Sequence, residues 1–485
     1  MSVVSTTAYR RDHFFVGGRW IEPAGTERLV VVSPATEEPV GSVPAAVAAD
    51  IDAAVAAARQ AFDRGPWPLM TQQERAAKMR DLAAAMRARV EETATAITSE
   101  MGSVISYTRA GQAPAPIDML EYYAGLAGTV GQPEEGRVGA YATWTVTKEP
   151  IGVVGAIVPW NGPIFLAMFK IAPALLAGCT IVLKPSPESP LSAYLLAEAL
   201  EAADFPPGVL NIVPGDREVG RHLVLHPDVD KIAFTGSTAA GKAIMADCAH
   251  DLKRVTLELG GKSPAIVLDD ADLATSLPGI LFGFTQNNGQ ICVSNSRLIV
   301  PRSRRDEIVE AIAAGLGEVT LGDPFDEAST MGPLVAQRQR DRVVGLLEGA
   351  RAEGATIAYG GGDGGMDRGW YVAPTLVTDV KPGMTIARDE VFGPVLSIID
   401  YDTEDEAIAI ANDTEYGLGA AIFTTDDDRF ARLARRVRAG TVNRNTHLTD
   451  YYLPFGGWKQ SGIGVEGGPE AVESYLATKV LGPFG

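Results

Sequence analysis

Between residues 151 and 234, four short apolar runs (151–158, 180–183, 209–213 and 231–234) alternate with helical stretches of roughly 12 to 15 residues. Strands that alternate with crossover helices pair in parallel, so this part of the chain is restricted to a doubly wound sheet. A second alternating set begins at residue 254 and continues through 266–268, 297–300, 395–398 and 420–423, which implies another α/β domain. Upstream, apolar residues recur at helical spacing over 51–89, 93–101 and 116–126, after a short β segment at 13–32. The Gly-rich stretch 128–139 and the alternation at 140–147 read as a hairpin leaving the first domain. The tail, 474–480, is a short apolar strand far from either core, suited to adding onto a partner subunit. The expected fold class is therefore α/β, with two doubly wound domains and a small β element for oligomerisation.

A chain of 485 residues, 46% hydrophobic and 21% charged, is folded and holds two or three domains. Acidic residues outnumber basic ones by 61 to 42, a net charge of −19, which excludes nonspecific attraction to nucleic acid or anionic lipid. The nearly apolar window 165–183 is interrupted by Lys170, Pro173 and Gly178, so it reads as a buried helix and strand rather than a membrane span. Residues 1–11 carry two arginines and several Ser and Thr but no apolar stretch, and are not read as a targeting segment. Three cysteines, Cys179, Cys248 and Cys292, suit a reducing compartment, and a cytoplasmic location is expected.

Cys292 lies in a small-residue loop, Gly289-Gln290-Ile291-Cys292-Val293, between a helix and a strand, where a thiolate can be reached by substrate. Cys179 and Cys248 sit in apolar or helical contexts and read as structural. Glu258 ends an apolar strand before Gly260-Gly261-Lys262. It is either a carboxylate with a raised pKa, fit to act as a base, or the partner of Lys262 in an ion pair. Asn161, in Pro159-Trp160-Asn161 at the carboxyl end of the first strong strand, offers an amide to an oxyanion. Lys184 and Ser186 follow the next strand, and Gly236-Ser237-Thr238 open a helix whose N-terminus suits a phosphate.

Three other patterns carry less. Gly236 to Lys242 matches a phosphate-loop core, but Ala243 stands where a magnesium-binding hydroxyl belongs. Gly360, Gly362 and Gly365 match a dinucleotide fingerprint by letters but open no helix. Glu218, His222 and His226 have metal-ligand spacing on one helix, yet no second cluster accompanies them, and no metal is expected.

Taken in order, Phe234-Thr235-Gly236-Ser237-Thr238, Leu257 to Lys262, Gly289-Gln290-Ile291-Cys292, Glu390-Val391-Phe392-Gly393-Pro394 and Pro454-Phe455-Gly456-Gly457 resemble the aldehyde dehydrogenase superfamily over nearly the whole chain. The resemblance implies NAD-dependent oxidation of an aldehyde, with NADP as the other acceptor. Cys292 would be the nucleophile, Asn161 with the Cys292 N–H the oxyanion site, and Glu258 the base that activates water. It places Trp160, Lys184, Ser186, Gly215, Gly236, Ser237, Glu390 and Phe392 on the cofactor. Pro187 stands where many NAD-preferring relatives carry an acid, with Glu188 one position late. Gly162 replaces an aromatic residue of the substrate tunnel, while Phe165, Leu166, Phe169, Ile291, Val293 and Phe455 keep it apolar. A medium or bulky hydrophobic aldehyde is therefore expected. The alternatives are a semialdehyde dehydrogenase for a small charged substrate, with Arg297 as its candidate cation, and a non-catalytic member of the fold. The implied domains are dinucleotide-binding (1–127 and 151–259), catalytic (260–450) and oligomerising (128–150 and 451–485), in a homodimer or homotetramer.

Overall fold

The computed structural model describes residues 9–484; residues 1–8, which make up most of the segment weighed for targeting, and residue 485 lie outside the described residues. Two large sheets dominate. The first contains parallel strands β1 (Val153–Ile157), β2 (Thr180–Lys184), β3 (Leu210–Ile212), β4 (Lys231–Thr235) and β5 (Arg254–Glu258), in the spatial order β5-β4-β1-β2-β3. It is extended at one edge by Gly462–Ile463 and at the other by Phe14–Val16 and Arg19–Ile21. The strand at 254 thus closes the first sheet instead of opening the second set.

The second sheet contains β6 (Pro264–Val267), β7 (Arg297–Pro301), β8 (Thr356–Tyr359), β9 (Thr375–Thr378), β10 (Val395–Tyr401), β11 (Gly419–Phe423) and β12 (Thr441–Arg444), in the order β8-β9-β10-β7-β6-β11-β12. Only β8 is antiparallel. Strands β1, β2, β4, β7 and β11 are buried along their whole length, as expected where helices cover both faces.

Helix α1 (Pro163–Ala177) shows how local sequence sets an element. Pro163 occupies the first turn, where its missing N–H costs nothing, and apolar residues surround the helix, so it is buried on nearly all sides. Gly178 ends it in the left-handed conformation at φ 98°, its N–H bonded back to Ala174. Two residues later β2 begins, so the window weighed as a membrane span is a buried helix and strand. No helix among the described residues is long and apolar enough to cross a membrane.

A separate three-stranded sheet joins Glu134–Val138, Thr143–Pro150 and the C-terminal Leu476–Phe484. The C-terminal strand pairs antiparallel with Thr143–Pro150 of its own chain, Leu476 opposite Pro150 and Val480 opposite Val146. The pairing expected with a neighbouring subunit is therefore made within the chain. The tip stays exposed, with Val138 at 84% and Tyr141 at 98%.

A Cβ at position 178 would lie 3.0 Å from Nη1 of Arg75, whose Nε donates to the Leu176 carbonyl at 3.0 Å. Gly178→Val therefore meets both a left-handed backbone and a buried guanidinium, and it is expected to destabilise the chain by about 1–3 kcal/mol. A lower thermal midpoint by circular dichroism is the expected outcome; an unchanged midpoint would contradict this account.

Candidate active site

The first sheet reverses its strand order at β1, with β2 and β3 on one side and β4 and β5 on the other, and ligands of such sheets bind outside the strands' carboxyl ends at that point. There the structure has a cavity of roughly 260 Å3. Pro159, Trp160 and Asn161 reach it from the end of β1, and Thr235, Gly236 and Ser237 from the end of β4. Leu259 and Gly260 follow β5, Cys292 comes from the loop ahead of β7, and Glu390 and Phe392 face them from the second domain. Gln339 and Arg342, on helix α5 (Gln337–Ala352) of that domain, also line it, and nothing in the sequence had singled them out.

Helix α3 (Thr238–Cys248) starts at the cavity, capped by Ser237, whose Oγ accepts from the Ala240 N–H at 3.3 Å. The N–H groups of its first turn form an anion seat. On the far wall, burial raises the Glu390 carboxyl to about 7, opposed by the Gly261 N–H, which donates to Oε1 at 3.0 Å, and by Arg342 and Lys262. Trp160 and Phe392 meet edge to face at 5.4 Å. Lys184, Ser186 and Gly215 do not line this cavity; they form an adjoining group at the ends of β2 and β3, where Lys184 Nζ donates to the Gly215 carbonyl at 2.7 Å. Burial lowers the Lys184 ammonium to about 8.

Cys292 is half-buried, and its thiol is pushed far above the ordinary range, first by burial and then by the Glu258 and Glu390 carboxylates. The backbone N–H groups of Val293 and Cys292 itself act in the opposite direction. The cysteine loop is braced from outside. Helix α4 (Leu273–Thr285) ends in a turn where Asn287 and Asn288 are both left-handed, at φ 53° and 60°. Gly289, at φ 74°, backs against the segment that leads into β10, where a Cβ would lie 2.2 Å from the Gly393 carbonyl carbon. Asn287 Nδ2 donates to the Asn161 backbone carbonyl at 2.8 Å, and its Oδ1 accepts from Ser103 and Gln112. The Asn161 amide donates one N–H to the Gln290 carbonyl at 2.9 Å, leaving its second N–H for an oxyanion. Asn287 was not a sequence candidate, although two Asn before a Gly are a left-handed turn signal.

Glu258 is buried behind the cavity, and neither carboxylate oxygen has a hydrogen-bond partner. The ion pair with Lys262 does not form. Lys262 Nζ is also unpartnered, and burial, with Arg297 adding to it, lowers its ammonium to about 7. What acts on Glu258 instead is a pair absent from the sequence reading. Lys170 Nζ, on α1, lies 2.7 Å from Glu466 Oε1 and 2.6 Å from Thr235 Oγ1, with both charged side chains almost fully buried. Burial raises Glu258 well above the carboxylate range; Glu466 adds to the shift and Lys170 opposes it.

Of the expected apolar wall, Leu166 lines the cavity directly. Ile291, Val293 and Phe455 pack around Cys292 together with Leu418. From Phe455 an aromatic row continues to Phe169 at 6.0 Å, Phe165 at 5.2 Å beyond that, and Tyr451 at 6.3 Å. Gly162 is buried at the base of this row; a Cβ there would stand 3.3 Å from Leu166. Arg297 takes no part, since its guanidinium is buried and bonded to the Lys262, Ile410 and Ala411 carbonyls. His222 pairs with Asp52, and no group of metal ligands occurs among the described residues.

A model of the aldehyde dehydrogenase family matches residues 20–481. The chain is 47% identical over 468 residues to the geranial dehydrogenase of Castellaniella defragrans, covering 96% of this chain and 98% of that one. It is 40% identical over 472 residues to a betaine aldehyde dehydrogenase of Brucella canis, covering 96% of each. Among solved structures, a Mycobacterium tuberculosis aldehyde dehydrogenase complexed with NAD+ superposes with a TM-score of 0.96 at 46% identity, covering 98% of both chains.

Because the Glu258 charge helps hold the Cys292 thiol protonated, Glu258→Gln is expected to raise the rate of Cys292 alkylation by iodoacetamide in the free protein severalfold at pH 8. Mass spectrometry of the labelled peptide reads the rate; slower labelling would mean that Glu258 acts on the free thiol mainly as its base.

Proposed function

The chain belongs to the aldehyde dehydrogenase family, and we propose that it oxidises a medium or bulky hydrophobic aldehyde to the carboxylic acid, with NAD as its preferred acceptor and NADP as the second. The observation that carries this reading is the single cavity in which Cys292 and the Asn161 amide meet the capped N-terminus of α3 and the Glu390 carboxylate, with an aromatic row running away from the sulfur. The residues suit a dinucleotide. The anion seat at Ser237 would take the pyrophosphate, Glu390 would accept from the nicotinamide ribose, and Trp160 with Phe392 would lie beside the nicotinamide end. Lys184, Ser186 and Gly215 serve the adenosine end, and Gly236 lets the backbone approach closely. A bound nicotinamide supplies the hydride acceptor.

The chain's own groups do the rest. Cys292 Sγ attacks the carbonyl carbon and gives up its proton to solvent, leaving Glu258 for the later step. The oxygen that becomes negative is held by the second Asn161 N–H and the Cys292 backbone N–H, the charge stabilisation that usually dominates acyl chemistry. Loss of hydride from the thiohemiacetal leaves a thioester on Cys292. Glu258 then takes a proton from water as its oxygen attacks, and the sulfur departs with the carboxylic acid released. The raised affinity of Glu258 for a proton, set by burial and Glu466, suits a base that works near neutrality. Leu166, Phe165, Phe169, Ile291, Val293 and Phe455 form the apolar path, Gly162 leaves it wide, and the burial of Arg297 removes the cation a small anionic semialdehyde would need there. The first sheet's domain is the dinucleotide-binding unit, the second the catalytic one, and the exposed hairpin joins copies into a homodimer or homotetramer in the cytoplasm.

Cys292→Ala is expected to lower cofactor reduction by at least about a thousandfold while leaving NAD+ binding by fluorescence titration unchanged. Across a panel of geranial, octanal, benzaldehyde, succinic semialdehyde and betaine aldehyde, kcat/KM should favour the first three; preference for either charged aldehyde would overturn the substrate assignment. Glu258 loses its base form as pH falls through its raised pKa. The acid limb of kcat should therefore lie above the usual carboxylate range, and Lys170→Met, which removes the opposing cation, should move it higher still.

A further inference from the structure

The helix that follows β2 begins without a cap of its own. Residues 185–190, which carry Ser186 at the adenosine end of the crevice, include Pro185, Pro187 and Pro190, so half of the segment has no backbone N–H with which to fasten itself. Within it, Ser189 donates its N–H to the Ser186 carbonyl and its hydroxyl to the Trp160 carbonyl, each at 3.3 Å. Pro190 stands at the start of helix α2 (Leu191–Ala202), where a Ser, Thr, Asp or Asn ordinarily accepts from the first N–H groups, and it has no side-chain acceptor to offer. Glu100 supplies one from 91 residues earlier. Its Oε2 accepts from the Leu191 N–H at 2.6 Å, and its Oε1 from the Ser192 N–H at 3.2 Å and the Ser192 hydroxyl at 2.6 Å. Burial raises this carboxyl to about 7, opposed by the Ser192 hydroxyl and the two N–H groups, and the positive end of α2 favours the charge.

Glu100 is the last residue but one of its own helix, Val90–Met101, and the residues just after it hold the other half of the site. Gly102, left-handed at φ 76°, presents its carbonyl to Asn288 Nδ2 at 3.0 Å; a Cβ there would lie 2.8 Å from Pro333 Cγ. The Ser103 hydroxyl donates to Asn287 Oδ1 at 2.9 Å, and Asn287 in turn holds the Asn161 backbone carbonyl. Within four consecutive positions the chain reaches the segment before α2 on one side and the cysteine loop on the other.

We propose that Glu100 is a positioning residue for the oxidation: by capping α2 it fixes the proline-rich segment that carries Ser186, and with the adjoining Gly102 and Ser103 it ties that segment to the cysteine loop, so that one turn of chain holds cofactor and nucleophile in register. This rests on the reading of the crevice as a dinucleotide site. Glu100 touches neither substrate nor cofactor and acts through Leu191 and Ser192. Without its carboxylate an N–H at the start of α2 is left unpaired in the interior, and the segment ahead of it is free to shift. Transfer between two bound partners feels such a shift strongly, since a misplacement of about 1 Å can cost on the order of a hundredfold in rate.

The test compares the wild type with Glu100→Gln, Glu100→Asp and Ser103→Ala in NAD+ binding by fluorescence titration, in kcat and KM for octanal, and in Cys292 alkylation by iodoacetamide without cofactor. Glu100→Gln keeps the shape and one acceptor but gives up the charge. It should weaken NAD+ at least about tenfold, while KM for octanal and the alkylation rate move by less than about threefold. Glu100→Asp keeps the charge one methylene short of α2. It should show the same selective loss at about threefold or more, and it decides the question by itself if Glu100→Gln does not fold. Ser103→Ala releases the other side, so alkylation should quicken at least about threefold with NAD+ binding moved by less than that. At saturating NAD+, kcat should fall at least about threefold in both Glu100→Gln and Ser103→Ala, because each frees one half from the shared turn. Unchanged NAD+ binding in both Glu100 variants, full kcat at saturation, or equal weakening of NAD+ and octanal with faster alkylation overturns the proposal alone. A wild type that does not bind NAD+ overturns the site reading with it.

Discussion

The pairing of Lys170 with Glu466 ties the molecule together across 296 residues of sequence. Taking both ions out of water costs several kcal/mol each, and the contact offsets that only because its geometry is good and Thr235 accepts a further hydrogen bond from the ammonium. Each partner also brings its own element. Lys170 belongs to α1, and Thr235 ends β4 at the lip of the cavity. The Glu466 backbone exchanges both of its hydrogen bonds with Phe455, at 2.6 and 2.7 Å, which fixes the ring that packs beside Cys292. Charge and shape at the reacting centre thus have a common anchor. Burial first raises the proton affinity of Glu258, and the same two side chains then adjust it, Glu466 raising it and Lys170 lowering it.

The cysteine loop is held by a different means, with directional bonds from outside the loop rather than charge. The Asn287 carboxamide bridges the Asn161 backbone to Ser103 and Gln112, Asn288 reaches the Gly102 and Pro333 carbonyls, and the Gln290 side chain accepts from the Val335 N–H. The side chains of Asn287, Asn288 and Gln290 therefore fasten the Cys292 loop to elements from both domains. Consecutive left-handed residues are costly, and they persist where the surroundings over-determine them, which is common at reactive centres.

How much of this was legible in the sequence follows from the range of each interaction. Periodicity located the five central parallel strands of the first sheet and the strands at 264, 297, 395 and 419 of the second to within a few residues, because a strand buried on both faces writes its own apolar run; it missed Thr356–Tyr359, Thr375–Thr378 and Thr441–Arg444. The same signal misassigned the strand at 254 to the second set, since an apolar run does not say which sheet it joins. Cys292, Asn161, Glu390 and Phe392 were found because each lies in a distinctive short segment, and the structure brings them to one cavity. Lys170 was visible only as an interruption in an apolar helix. A buried lysine demands a partner, but nothing near Glu466 marked it as that partner. Likewise, Glu258 and Lys262 are close enough in sequence to suggest a pair, yet the double glycine between them turns the chain away. The C-terminal strand read correctly as an added strand, but composition cannot distinguish a neighbour's hairpin from the chain's own.

The sulfur chemistry described above has a further meaning for durability. Burial raises Cys179 and Cys248 to about 11, and Cys292 is raised further still. Oxidants and electrophiles react with thiolates, so a resting protein whose three sulfurs are all held as thiols offers peroxide a slow target. An enzyme that handles reactive carbonyls would ordinarily be exposed to self-inflicted damage at its own nucleophile. Here burial is the main guard of the Cys292 sulfur, and the neighbouring Glu258 and Glu390 charges lengthen the chain's shelf life further.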